Sequence, residues 1–155
     1  MTIGLASDHR GYRAKNFLKD SLYMYDVIDY GTDTEDSVDF PVYAKKLGTA
    51  IVNGEVDLGI AICGTGIGIS IACNKVKGVR CAKVDNIKEA ELTRKDNDAN
   101  VLALNGSMPL YRAKDIVDTF FKTEFTNVER YVNRINAISE YENNLNKKKH
   151  KKEEK

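Results

Sequence analysis

Short apolar runs alternate with stretches of helical spacing along the whole chain. Thr2 to Ala6 is an apolar run containing β-branched Ile3, and beyond Gly11 the residues Tyr12, Phe17, Leu18 and Leu22 recur at roughly helical intervals. Val27-Ile28 is a second brief run ending at Gly31, followed by a polar, turn-rich segment from Thr32 to Pro41 and a helical stretch from Val42 to about Asn53. Leu58 to Ile62 is almost continuously apolar, as in a strand buried on both faces of a parallel sheet, and it runs straight into Cys63-Gly64-Thr65-Gly66-Ile67-Gly68. A helix from about Ile69 to Asn74, a strand from Arg80 to Val84, a helix from Ile87 to Lys95, a strand from Val101 to Leu104 and a helix from Leu110 to Lys122 complete the alternation. Pro109 suits the first turn of that last helix.

Five strand-helix repeats predict an α/β fold, a Rossmann-like three-layer α/β/α sandwich around a five-stranded parallel sheet. A C-terminal helix follows, carrying Val132, Ile135, Ala137, Ile138, Tyr141 and Leu145 with no later strand to cover, and such a helix is expected to pack on a partner subunit. Residues 1–146 therefore form the expected domain. Lys147 to Lys155, which lacks any apolar residue, is expected to be a disordered tail without assigned function.

With 155 residues the chain has room for one such domain and no second of similar size. The 24 Lys and Arg nearly balance 23 Asp and Glu, but the last nine residues hold six of the lysines and two of the glutamates. The body is thus net −3 and the tail net +4, so the body lacks the basic excess of a nucleic-acid-binding surface. No run of about 18 apolar residues and no signal-like start occur, so a cytoplasmic protein that neither spans a membrane nor is secreted is expected. Cys63, Cys73 and Cys81 form no C-x-x-C pair, which argues for free thiols rather than disulfides or a zinc site.

In an open parallel sheet, ligands bind beyond the carboxyl ends of the strands, which directs attention to Ser7-Asp8-His9-Arg10, Gly31-Thr32, Cys63 to Gly68, Asp85-Asn86 and Asn105 to Ser107. Alternating Gly64, Gly66 and Gly68 let main-chain N–H groups approach an anion or a developing oxyanion. Cys63 precedes them, and neighbouring N–H dipoles favour a thiolate, which makes it the best candidate for a nucleophile or base. A dinucleotide fingerprint fits poorly, since its third glycine would fall at Ile69. His9 is the one histidine outside the tail, and Asp8-His9-Arg10 suits a phosphate or a sugar hydroxyl. Asp96-Asn97-Asp98-Ala99-Asn100 reads as a structural loop, and Arg130 and Arg134, four apart on the terminal helix, could grip a phosphate together.

Asp8-His9-Arg10-Gly11, Asp39-Phe40-Pro41, Cys63 to Ser70, Asn74-Lys75-Val76, Gly78-Val79-Arg80, Asn97 to Val101 and Arg130-x-x-x-Arg134 closely resemble, in order and spacing, the ribose-5-phosphate isomerase B family. That family also includes the galactose-6-phosphate isomerase subunits, and the likeness spans residues 1 to about 140. The resemblance implies an aldose–ketose isomerase with no metal or other cofactor, acting on a small phosphorylated sugar. It also implies a homodimer or homotetramer with its sites at the subunit interface. Cys63 would match the base, Gly64, Gly66, Ile67 and Gly68 the nest around the enediolate, and Thr65 a group beside it. Asp8, His9 and Asn97 would match ligand-binding positions, and Arg130 and Arg134 phosphate-binding arginines.

Three positions depart from the family's pattern. Asp96 stands where the resemblance expects a ring-opening histidine, Phe40 where it expects a tyrosine, and Ser107 where it expects an arginine. An ionised aspartate can accept the anomeric proton but is a poorer donor to the ring oxygen than imidazole. Losing one arginine removes a phosphate contact of about 1.5–3 kcal/mol. The expected reaction is the interconversion of D-ribose 5-phosphate and D-ribulose 5-phosphate. Its rivals are isomerisation of galactose 6-phosphate or allose 6-phosphate, and a non-catalytic sugar-phosphate-binding subunit.

Overall fold

The computed structural model describes residues 1–153. Strands β1 (Thr2–Ser7), β2 (Asp26–Asp29), β3 (Leu58–Cys63), β4 (Cys81–Lys83) and β5 (Val101–Asn105) form one all-parallel sheet in the order β2-β1-β3-β5-β4. Helices α1 (Tyr12–Ser21), α2 (Phe40–Val52), α3 (Ile67–Cys73), α4 (Ile87–Asn97) and α5 (Leu110–Lys122) follow the five strands in turn, and α6 (Glu129–Glu153) closes the chain.

The pattern of apolar residues explains the order. Every residue of β3 is buried, as are the first four of β5, because both strands lie inside the sheet with helices on either face. β2 alternates exposed and half-buried residues and β4 is half-buried throughout, as edge strands are. Ile60 lies opposite Leu5 on one side and Leu102 on the other. One core joins the sheet to α1 and α5 through Leu18, Ile116 and Phe120, with Ala90 of α4 packed into it, and the other joins it to α2 and α3 through Leu47 and Ile69. Each of these large apolar side chains, wholly buried, contributes about 1.5–3 kcal/mol.

The chain runs outward from β1 to β2 and then crosses back to β3, so the sheet's topological switch point lies between the carboxyl ends of β1 and β3. That is where a crevice is expected. The helices run antiparallel to the strands, and their carboxyl ends therefore gather at the opposite end of the sheet.

Two segments differ from the sequence expectation. Asp96 and Asn97, expected in a loop, are the last residues of α4, because the helix ends one residue later at Asp98. Asp98 takes the left-handed conformation, φ 47°, that an aspartate tolerates, and the Arg94 guanidinium bonds both its carboxylate and the Ala99 carbonyl. Secondly, α6 continues to Glu153 and takes in most of the lysine-rich stretch expected to be disordered, since lysine and glutamate extend a helix already nucleated. The last two residues of that stretch, Glu154 and Lys155, lie outside the described residues.

Candidate active site

A cavity of about 700 Å³ opens at the switch point. Asp8, His9 and Arg10 from the end of β1, Cys63, Gly64, Thr65 and Gly68 from the end of β3, and Ser37 to Val42 from the loop before α2 and its first turn line it. Cys63 is almost fully buried, and its carbonyl accepts the Gly106 N–H at 2.8 Å, which ties the ends of β3 and β5 together. Gly66 takes a left-handed conformation with φ 77°, and a Cβ there would come within 2.9 Å of the Leu104 main chain. Only glycine lets the chain turn this tightly out of β3.

This turn leaves the main-chain N–H groups of Gly64, Thr65, Gly66 and Gly68 without acceptors among the described residues. The Ile67 N–H is taken by Thr65 Oγ1 at 3.1 Å. Ile67 itself is 54% exposed at the start of α3 and is not in the cavity wall. Gly68 lies beneath the Phe40 ring, where a Cβ would meet Cζ at 2.8 Å.

Asp8 has a structural duty as well as a place in the wall, since its Oδ1 accepts the N–H groups of Arg10 at 2.9 Å and Gly11 at 3.1 Å. His9 Nδ1 accepts the Val38 N–H at 3.2 Å, so a neutral imidazole carries its proton on Nε2. The 32–39 loop is thereby fastened over the cavity. No motif signals this contact, because a main-chain donor has no residue identity.

The remaining sequence-derived site residues are elsewhere. Met1, Leu58, Arg80 and Asn100, at the amino ends of four strands, share a surface pocket with Asp98, which puts the end of α4 at the far end of the sheet from Cys63. Asn97 lines a different cavity of about 610 Å³, walled also by Ile138, Tyr141 and Leu145 of α6, and Asp96 lines neither. Thr126 donates to the Lys95 carbonyl at 2.8 Å and so holds the start of α6 at the same far end. There Arg130 and Arg134 flank one ring, their guanidinium carbons 4.5 and 5.8 Å from the centre of Tyr131. The candidate residues thus form two groups, separated by a strand length of about 17–20 Å.

The other two cysteines have no part in the Cys63 cavity, although Cys81 lines the 610 Å³ one beside Asn97. A hydrogen bond with Cys73, together with burial, pushes the Cys81 thiol up. Asn74 keeps that contact in place by bonding both the N–H and the carbonyl of Cys81, at 2.8 and 2.9 Å. Among the described residues no group of three or more His, Cys, Asp or Glu side chains is placed to hold a metal ion, and no helix is long and apolar enough to cross a membrane.

Comparison with known proteins gives this geometry a family. A family model described as Ribose/Galactose Isomerase matches residues 3–138. Ribose-5-phosphate isomerase B of Escherichia coli is 39% identical over 147 residues, covering 93% of this chain and 98% of that protein. The structure of ribose-5-phosphate isomerase B from Clostridium thermocellum superposes with a TM-score of 0.91 at 47% identity, covering 94% of this chain and 99% of that one. The Mycoplasma genitalium enzyme, whose structure contains bound ribulose-5-phosphate, gives a TM-score of 0.87 at 38% identity, covering 92% and 96%.

Proposed function

The chain belongs to the ribose/galactose isomerase family, and from that membership we propose that it interconverts D-ribose 5-phosphate and D-ribulose 5-phosphate with Cys63 as the base. The observation that carries this reading is the position of Cys63. It stands in the wall of a cavity at the switch point, next to N–H groups that have no other acceptor among the described residues.

In the forward direction the Cys63 thiolate removes the proton from C2 of the open aldose. The C2–H electron pair forms the C1–C2 double bond, and the carbonyl pair moves onto O1. The resulting cis-enediolate is held by the Gly64 to Gly68 N–H groups and the Thr65 hydroxyl, whose proton is free because its oxygen is the acceptor toward Ile67. The thiol then returns its proton to C1, the C1–C2 double-bond pair forming the new C–H bond, while the O2 proton passes to O1, which leaves a hydroxyl on C1 and a ketone at C2. Donors fixed before the charge develops need no reorganisation, which is why they suit an enediolate.

Phosphate binding and ring opening need the second group of residues, which one chain cannot bring to the same ligand. A homodimer with a two-fold axis solves this by placing Asp96, Asn97, Arg130 and Arg134 of one copy at the Cys63 cavity of the other. Exposed Ile67 and Ile71 on α3 and exposed Ile138, Tyr141 and Leu145 on α6 supply apolar surface for such an interface. Asp96 then accepts the anomeric proton as the carbonyl forms at C1, and passes it to the ring oxygen as the C1–ring-oxygen bond breaks. A cytoplasmic location fits the free thiols and a phosphorylated substrate.

Purified protein assayed on ribose 5-phosphate, galactose 6-phosphate and allose 6-phosphate is expected to show the highest kcat/KM on the pentose, by tenfold or more on the order of discrimination that a shaped polar site gives. A hexose preference would move the substrate, and binding without any turnover would make the chain a non-catalytic subunit. The shared site has its own test. Cys63→Ala and Arg134→Ala, each inactive alone, should recover about one quarter of wild-type activity when mixed under exchange, because half of the mixed dimers' sites are intact. No recovery despite proven subunit exchange would confine the site to one chain.

A further inference from the structure

Arg10 occupies an unusual position among the residues at the switch point. Its side chain crosses Gly64, and a Cβ on that glycine would come within 2.6 Å of Arg10 Cδ and 3.1 Å of Nη1. Its main chain is pressed equally closely against the loop after β5, where a Cβ on Gly106 would meet the Arg10 carbonyl oxygen at 2.6 Å. Arg10 thus sits where the ends of β1, β3 and β5 converge. The Arg10 N–H is fixed by Asp8 Oδ1 at 2.9 Å, so the root of the side chain is held while its head is free. Among the described residues its guanidinium pairs with no carboxylate and donates no hydrogen bond.

Charge makes this placement informative. The cavity wall includes two acidic side chains, Asp8 and Asp39, and Arg10 is the one wall residue with a permanent positive charge. Ser107, beside Gly106 in the loop after β5, adds none. Arg10 brings the wall's formal charge from −2 to −1 and is the one fixed positive group there that attracts the phosphate of an entering sugar phosphate. The phosphate is the substrate's largest fixed charge, and a planar guanidinium binds it through paired N–H donors.

We propose that Arg10 is a substrate-binding residue that holds the phosphate group from this chain's side of the site, where Ser107 contributes no charge. The proposal rests on the sugar-phosphate isomerase reading above and adds a ligand contact from the β1 end. Arg10 is exposed and makes no buried contact that its head group must satisfy, so replacing it leaves the fold intact.

The test uses full-length Arg10→Gln, Arg10→Lys and the double variant Arg10→Gln/Ser107→Arg. Two readouts are taken, calorimetric binding of inorganic phosphate and steady-state kinetics on ribose 5-phosphate. Arg10→Gln is expected to weaken phosphate binding and raise KM together, on the order of 10- to 100-fold as for loss of a charge-assisted contact, with kcat changed far less. Arg10→Lys should recover part of the loss, and so should the double variant, in which a guanidinium is returned from the neighbouring loop. Phosphate affinity and KM both within about twofold of wild type would overturn the proposal. A fall in kcat with phosphate affinity unchanged would also overturn it, by placing the guanidinium at the reacting carbons. If wild-type protein turns over no sugar phosphate, the isomerase reading fails separately, and phosphate calorimetry still decides the role of Arg10.

Discussion

Cys63→Ala is expected to lower kcat on ribose 5-phosphate on the order of 10²- to 10⁴-fold, the contribution of a positioned general base, while phosphate affinity stays close to wild type. The substitution removes one sulfur from a nearly buried site and leaves the Gly66 turn and its free N–H groups in place. Substrate therefore still finds the charges that bind it, but no group takes the C2 proton. Cys81→Ser is the matched control. It alters a thiol held to Cys73 at the far side of α3, pushed away from the thiolate form, and it should leave turnover near wild type. Measuring kcat and phosphate binding on both variants separates chemistry from folding. Turnover of Cys63→Ala within tenfold of wild type would remove the thiol from the proton transfer.

Much of the fold is legible because burial leaves its mark on composition. The apolar runs Thr2 to Ala6, Leu58 to Ile62 and Val101 to Leu104 became the three interior strands, β1, β3 and β5, and the shorter, more polar ones became the edges. The same contrast held the clue to strand order, with β5 inside β4. The cysteine and the glycines after β3 were legible for a different reason, since a tight turn with free N–H groups restricts residue type at consecutive positions. The location of Asp96 and Asn97 was not. Local pattern says that they follow a helix, but their distance from Cys63 depends on which way that helix runs across the sheet. Contacts made by main-chain atoms, such as Val38 N–H to His9, leave no mark in composition at all.

Asp29→Ala should be the most damaging single change to stability outside the apolar core, at about 3–5 kcal/mol. Lys15 is a fully buried lysine, its side chain 1% exposed, and its ammonium lies 2.7 Å from Asp29 Oδ2. Removing Asp29 leaves that charge without its partner. Burial by itself would raise the Asp29 carboxyl, but the hydrogen bond from Lys15, the Gly31 N–H, the Lys15 charge and the Lys19 contact outweigh it and hold the group below its usual 3.8. A carboxyl lowered by folding stabilises the native state above its unfolded value, and that stabilisation is lost as pH falls through the folded value. Urea unfolding at pH 7 should therefore show the full difference between wild type and variant, with the gap narrowing once the pH drops below about 4. Lys15→Met in the Asp29→Ala background should restore much of the loss, because it removes the stranded charge. The damage should also reach the site. Asp29 Oδ1 accepts the Gly31 N–H at 2.9 Å, and the Gly31 carbonyl in turn accepts the Ser7 N–H at 2.7 Å, just before Asp8 and His9. A loosened Gly31 turn frees the end of β1, so KM should rise in the variant even at temperatures where it is fully folded. A stability difference under about 1 kcal/mol at pH 7 would mean that water reaches Lys15 once Asp29 is gone.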